Sequence, residues 1–244
     1  MSATVPIEVA VAGHADQSNG HHHASFSELF SDALRGIPCA VRGISPVDQI
    51  LPVHEWQRPA SHADHVLLAH CRGATLDVGC GPGRMSAHLA LRGHPVLGVD
   101  IVREAVEQTR RRGVPALRRD IFDPMPGEGS WDTVLLADGN IGIGGEPLAL
   151  LRRTAELLDR SGRVVCDLAG PGTGLRVHAA RLVTRGRRSP TFPWAQVGPE
   201  AIESLASRAG LDLLHVGERH GRWFSVLSRS ARTRSVPSPS MLSR

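Results

Sequence analysis

The sequence predicts an open α/β sheet of mainly parallel strands with helices on both faces, and three observations carry that expectation. Short apolar strand segments alternate with helical segments from residue 75 onward. One of these strands runs through an acidic residue and alternating glycines straight into a helix. The next strand ends in a carboxylate about twenty residues beyond the glycines, the spacing at which a nucleotide-binding sheet places an acid on a ribose.

The glycine turn, Thr75-Leu76-Asp77-Val78-Gly79-Cys80-Gly81-Pro82-Gly83-Arg84, is the most informative segment. Glycines remove the Cβ atoms that would hold a ligand off the main chain, and the helix that follows offers free N–H groups. The spacing is G-x-G-x-G, which departs from the G-x-G-x-x-G dinucleotide fingerprint and tilts the cofactor away from NAD. A helix is expected over 85–92 and a buried strand over 95–100, ending in Asp100, the ribose-binding candidate.

The remaining elements follow in order. Residues 102–112 read as a helix with acids early and arginines late, the order that suits the helix dipole, and Gly113 ends it. Strands are expected over 114–119, 130–137 and 163–168, with a helix over 147–158 between the last two. A helix over 199–209 and two strands, 211–216 and 223–227, joined by a hairpin-like turn, close the pattern. Upstream, 27–34 and 61–71 read as helices, the second behind Ser61 as N-cap, with an extended or turning segment over 46–52. The organisation expected is a poorly ordered arm over 1–24, a helical cap or lid over 25–72, one domain over 73–228, and a disordered Ser/Arg/Pro-rich tail over 229–244.

The glycine turn resembles the first motif of the class I S-adenosylmethionine-dependent methyltransferases, Asp100 resembles their ribose-binding acid, and Arg119-Asp120-Ile121-Phe122 resembles their third-strand adenine motif. The resemblance implies a Rossmann-like, doubly wound sheet of seven strands, mostly parallel with an antiparallel edge strand. It implies S-adenosyl-L-methionine as cofactor. By motif position, Asp77, Gly79, Gly81 and Gly83 would hold the methionine part, Asp100 the ribose, and Asp120 with Ile121 the adenine. Cys80 and Ile101, which neighbour these residues, are counted with the cofactor site. The pattern is closest to small-molecule methyltransferases of the quinone-biosynthesis and secondary-metabolite type.

After the fourth strand the segment Ala137-Asp138-Gly139-Asn140-Ile141-Gly142 lacks the Asn/Asp-Pro-Pro-aromatic signature of amino-methylating relatives, which disfavours nucleobase or glutamine methylation. Asp138 and Asn140 are expected at the methyl donor's edge. For a general base, His178 and His54 are the tentative catalytic candidates among 13 histidines.

Composition narrows the alternatives. The 28 basic residues are all arginine, so no lysine exists for Schiff-base chemistry, and the Arg176–Arg188 cluster lacks the interleaved aromatics of a nucleic-acid surface. Its plain reading is a solvated helix face. Four scattered cysteines indicate neither zinc nor disulfides, no metal site is expected, and the His21-His22-His23 run reads as a flexible tract. No apolar run reaches bilayer length and no secretory leader is evident, so a cytoplasmic monomer or homodimer acting on a small-molecule methyl acceptor is expected, without nucleic-acid or membrane partners. Two other classes stay open: a catalytically silent S-adenosylmethionine-binding protein and, against the glycine spacing, a nucleotide-dependent oxidoreductase.

Overall fold

The structure, a computed structural model, describes residues 22–230. In chain order the first third contributes β1 (His22–His23), α1 (Phe26–Leu34), β2 (Ala40–Arg42), β3 (Gln49–Ile50), α2 (Val53–Gln57) and α3 (His62–Leu68). The central part runs β4 (Thr75–Val78), α4 (Arg84–Leu91), β5 (Val96–Asp100), α5 (Arg103–Arg111), β6 (Ala116–Arg118), β7 (Trp131–Leu136), α6 (Pro147–Leu157) and β8 (Leu158–Leu168). Then come β9 (Leu175–Thr184), β10 (Arg187–Arg188), β11 (Phe192–Val197), α7 (Pro199–Arg208), β12 (Leu211–Arg219) and β13 (Arg222–Arg229).

Seven strands form one sheet in the order β12-β13-β8-β7-β4-β5-β6. From β8 to β6 all neighbours are parallel, whereas β13 runs antiparallel to both β8 and β12. This is the doubly wound sheet with an antiparallel edge that the motifs imply. The central strands are buried on both faces: Leu76, Val134, Leu135, Leu136, Val164 and Val165 are sealed from solvent. That is why they read as continuous apolar runs and not as alternations. The order reverses between β4 and β7, and the crevice outside the strand ends at that point is where open sheets of this kind take their ligands.

A second sheet was not foreseen. It joins β1, β10, β9, β2 and β3, with β11 also paired to β9. Strand β2 pairs antiparallel with the far end of β9, Ala40 opposite Val183, so segments some 140 residues apart share one ladder. The region 25–72 is therefore not the purely helical cap expected from sequence: α1, α2 and α3 share it with β2 and β3. The reason is that β2 and β3 are too short to show a period, and their partner β9 lies far along the chain. The arginines 176, 181, 187 and 188 sit on β9 and β10, which corrects the helix-face reading. Tail position 229 belongs to β13. Of the expected arm, residues 22–24 are described, and His22–His23 form β1 paired with β10 where a poorly ordered tract was expected; the rest of the arm, with His21, and the tail beyond residue 230 lie outside the described residues.

The cap sheet rests on the central domain through a core of its own. Leu29, Ala33 and Leu34 of α1 pack with Leu182 of β9 and with Val102 and Ala105 beside and within α5. Phe192 meets Phe26 edge-on, with centroids 4.9 Å apart. Helix α1 begins with a capping box, Ser25 Oγ accepting from the Glu28 N–H while the Glu28 carboxylate accepts from the Ser25 N–H. At its other end the cap bridges to the loop after β7, where Ile143 pairs with Trp194 of β11. The expected extents of the central elements otherwise match to within a few residues, apart from longer β8 and β12 and a shorter α3.

Candidate functional site

The turn between β4 and α4 holds three glycines with positive φ, +67° at Gly79, +55° at Gly81 and +83° at Gly83. At Gly79 a Cβ would lie 2.6 Å from Asn140 Nδ2, so the position tolerates no side chain. At Gly81, by contrast, a Cβ would meet nothing within 4 Å. The main chain is bare there and faces open space, the cradle a nucleoside-amino acid ligand needs. Asp100, at the end of β5, accepts from the Gly81 N–H at 3.0 Å through Oδ2 and from the Val102 N–H at 2.8 Å through Oδ1. Burial pushes its carboxyl up to about 6 against those N–H groups. Each oxygen keeps a lone pair for a diol.

Asp77 sits differently. Its side chain is 1% exposed beneath the turn, accepts from Ser86 Oγ at 2.5 Å, and is pushed up to about 6 by burial. It braces the turn from below. Cys80 is buried, 3.6 Å from Thr109 Oγ1, and burial raises its thiol well above the usual range, so it is no nucleophile.

Where the sequence leads one to expect the adenine, Ile101 is exposed, and Asp120 is exposed with Oδ1 accepting from the Phe122 N–H at 3.0 Å. Ile121, expected to pack on the ring, instead points into the main core. The exposed apolar side chain following β6 is Phe122. Two large apolar side chains left in solvent near Asp100, at the end of β5, and Asp120, after β6, fit a flat aromatic ligand.

Beyond the turn, a cavity of about 390 Å³ lies between the cap and the carboxyl ends of β7 and β8. Trp56, Arg58 and Asp64 line it from the cap side, and His220, Arg222 and Trp223 from the start of β13 and the turn before it. Its floor is an ionic lattice that sequence reading missed. Arg84 donates to Asp64 through Nε (3.2 Å) and Nη2 (3.1 Å), and to Asp138 through Nη1 (2.6 Å) and Nη2 (2.7 Å). Arg222 donates to Asp167 through Nε (2.7 Å) and Nη2, to Asp138 through Nη2 (3.1 Å), and to Asp64 through Nη1. Burial alone would raise Asp64, but the Arg84 hydrogen bonds, the Ser61 N–H and both guanidinium charges hold it at about 2. Burial raises Asp167 despite Arg222. A detectable sequence signal did exist: Arg84 opens a helix, where a cation opposes the dipole and needs carboxylates to offset it.

The carboxylate of Asp138 is thus committed to the two arginines. Asn140 Nδ2 donates to the carbonyls of Val78 (2.8 Å) and Gly79 (3.0 Å), and its Oδ1 has no partner among the described residues. The two histidine candidates do not reach the cavity. His54 is exposed on α2, and His178 of β9 is hydrogen-bonded through Nε2 to Gln196 at 3.0 Å. The histidine in the cavity wall is His220. Among the described residues no group of three His, Cys, Asp or Glu side chains is arranged to hold a metal, and no helix is long and apolar enough to cross a membrane.

The family model described as "Methyltransferase domain" matches residues 75–162, the stretch from the glycine turn through β8's first residues. Over this stretch the chain carries a methyltransferase domain of the S-adenosylmethionine-dependent kind. This methyltransferase is similar to the magnesium-protoporphyrin O-methyltransferase of Rhodobacter capsulatus, 28% identical over 169 residues that make up 65% of this chain and 70% of that protein. It is similar too to the ubiquinone biosynthesis O-methyltransferase of Cereibacter sphaeroides, 26% identical over 164 residues, 64% of this chain and 65% of that one. The fold matches a crystal structure of an S-adenosylmethionine-dependent methyltransferase from Bacteroides fragilis in complex with S-adenosyl-L-homocysteine, with a TM-score of 0.70 and 21% identity over 84% of this chain and 94% of that one. The bare main chain at Gly81, the half-open carboxylate of Asp100 and the exposed Ile101 and Phe122 fit S-adenosylmethionine, the cofactor of this family.

Proposed function

We propose that this methyltransferase acts on a small-molecule acceptor seated in the cavity beneath the cap, methylating an O, N or C atom. The observation that carries the reading is the placement of that cavity, which opens over Asp138 and Asp167 at the ends of β7 and β8 and is walled by Trp56 and Trp223. Aromatic walls over a polar floor suit a compact, partly apolar metabolite. The names of the two curated relatives favour an oxygen acceptor.

In this reading Asp100 accepts from the ribose hydroxyls, Asp120 meets the exocyclic amine, Ile101 and Phe122 cover the adenine, and the Gly79–Gly83 turn carries the methionine part. When bound, S-adenosylmethionine supplies a methyl group on a sulfonium, which departs as a neutral thioether. The protein's own contribution is to hold donor and acceptor in line and to exclude water. His220 and Glu55 are the wall residues placed to receive an acceptor's proton.

Isothermal titration with S-adenosylmethionine and S-adenosylhomocysteine, comparing the wild type with Asp100→Ala, tests the cofactor half. Micromolar binding that is lost in the variant is the expected result. Metabolite extracts supplied with labelled methyl donor then test the acceptor half, and transfer only to macromolecules would overturn the small-molecule reading.

A further inference from the structure

Asp138 is one of two non-glycine residues with positive φ, at +52°, among the described residues. A non-glycine residue held in the left-handed region is strained and persists only where its surroundings over-determine it. Here the N–H of Asp138 donates to Asp167 Oδ2 at 2.8 Å, and both carboxylate oxygens are gripped by Arg84. Arg84 is itself an anomaly, a buried guanidinium on the first residue of α4, directly after Gly83. Burying a cation at the positive end of a helix is unfavourable unless carboxylates pair with it. Two residues past Asp138, Asn140 returns to the glycine turn and holds the carbonyls of Val78 and Gly79. The contacts close a ring from glycine turn to Arg84, from Arg84 to Asp138, and from Asn140 back to the glycine turn.

We propose that Arg84 is a positioning residue for methyl transfer: through Asp138 it sets the turn that aims Asn140 at the glycine turn, and so fixes the shape of the cofactor cradle. It acts through Asp138 and touches no reacting atom. The proposal rests on the cofactor lying over the glycine turn. Arg222 belongs to the same lattice and reaches Asp138 through one longer hydrogen bond where Arg84 makes two short ones, but it contacts neither the glycine turn nor α4, which makes it the comparison variant.

The test is calorimetric titration of S-adenosylhomocysteine, paired with the melting temperature of the ligand-free protein, for Arg84→Met, Arg84→Lys, Arg222→Met and Asp138→Gly. Arg84→Met is expected to weaken binding by about tenfold or more, whereas Arg222→Met lowers the melting temperature comparably but changes Kd by less than about threefold. Arg84→Lys recovers part of the loss. Asp138→Gly accepts the left-handed backbone freely yet lacks the carboxylate, and it is expected to weaken binding as Arg84→Met does. Equal loss of affinity in Arg84→Met and Arg222→Met, or wild-type affinity in Asp138→Gly, overturns the proposal. If Arg84→Met does not fold, Asp138→Gly decides the matter, and its wild-type affinity overturns the proposal. A wild-type chain that binds no S-adenosylhomocysteine overturns the cofactor assignment as well.

Discussion

The two sheets of this molecule solve different problems. The seven-stranded sheet draws its parallel strands in sequence from one continuous stretch, and its central strands are so completely buried that hydrophobicity alone marks them out. The cap sheet is assembled from residues 22–50 and 175–197, with two- and three-residue strands flanking the ten-residue β9 and many half-exposed positions. Its ladder exists only because α1 and β9 find a common core against α5. The comparison teaches that the cofactor side of the cleft is written locally, in motifs, while the face that covers the cavity is written in pieces that acquire meaning on folding.

The largest effect is expected inside the central region, where the ionic lattice ties α3 to the seven-stranded sheet. Asp64 of α3 receives hydrogen bonds from both Arg84 and Arg222, and Asp64→Ala would leave two guanidiniums short of a partner. The expected loss is about 3–5 kcal/mol, read by urea denaturation. A loss below about 1 kcal/mol would show that the lattice does not hold α3 to the seven-stranded sheet.

Next in size are matched core truncations. Leu76→Ala in the parallel sheet and Leu182→Ala in the cap each empty a fully buried site and are expected to cost about 2–5 kcal/mol. If the two regions unfold as one unit, both variants show a single transition. A separate early transition confined to Leu182→Ala would show that the cap melts on its own.

The acids under and beside the glycine turn sharpen the comparison through pH. Asp77 and Asp100 are both raised to about 6 in the folded state, so between about pH 4 and 6 the folded protein keeps protons that the unfolded chain releases. Stability of the ligand-free protein therefore falls as pH rises across that window, by up to about 3 kcal/mol for Asp77. Asp64, lowered to about 2, acts in the opposite sense below pH 4, its contribution being lost as pH falls towards 2. Asp77→Asn should flatten the profile between pH 4 and 6, and an unchanged slope would remove Asp77 as its cause. Binding of S-adenosylhomocysteine should weaken below pH 6 in the wild type and lose that dependence in Asp100→Asn.

The smallest effect is local to the cap. Ser25→Ala removes the N-cap of α1 and is expected to cost about 1 kcal/mol, visible as a small shift in the denaturation midpoint. No change at all would mean that α1 is held by its apolar face alone.

Much of the fold was legible because the turn, the acid of β5 and the buried strands each depend on neighbours within a few residues. The antiparallel closing pair was legible for the same reason. The candidate site was legible at Gly79, Gly81 and Asp100, which the structure gathers at one turn, and less so elsewhere. Ile121 turns into the core and leaves its neighbour Phe122 exposed, because which of two adjacent residues faces the core depends on how the chain leaves β6. His54 and His178 looked suitable by place in the chain, yet one is exposed on α2 and the other is hydrogen-bonded to Gln196.

By itself the sequence determined the parallel sheet, the glycine turn and the carboxylate that follows it, because strand burial and backbone freedom are set by residue type and local order. Only the tertiary structure decided the cap sheet, the cavity and the lattice of Arg84, Arg222, Asp64, Asp138 and Asp167. A guanidinium chooses its carboxylates by distance in space, and these five residues are spread from position 64 to position 222.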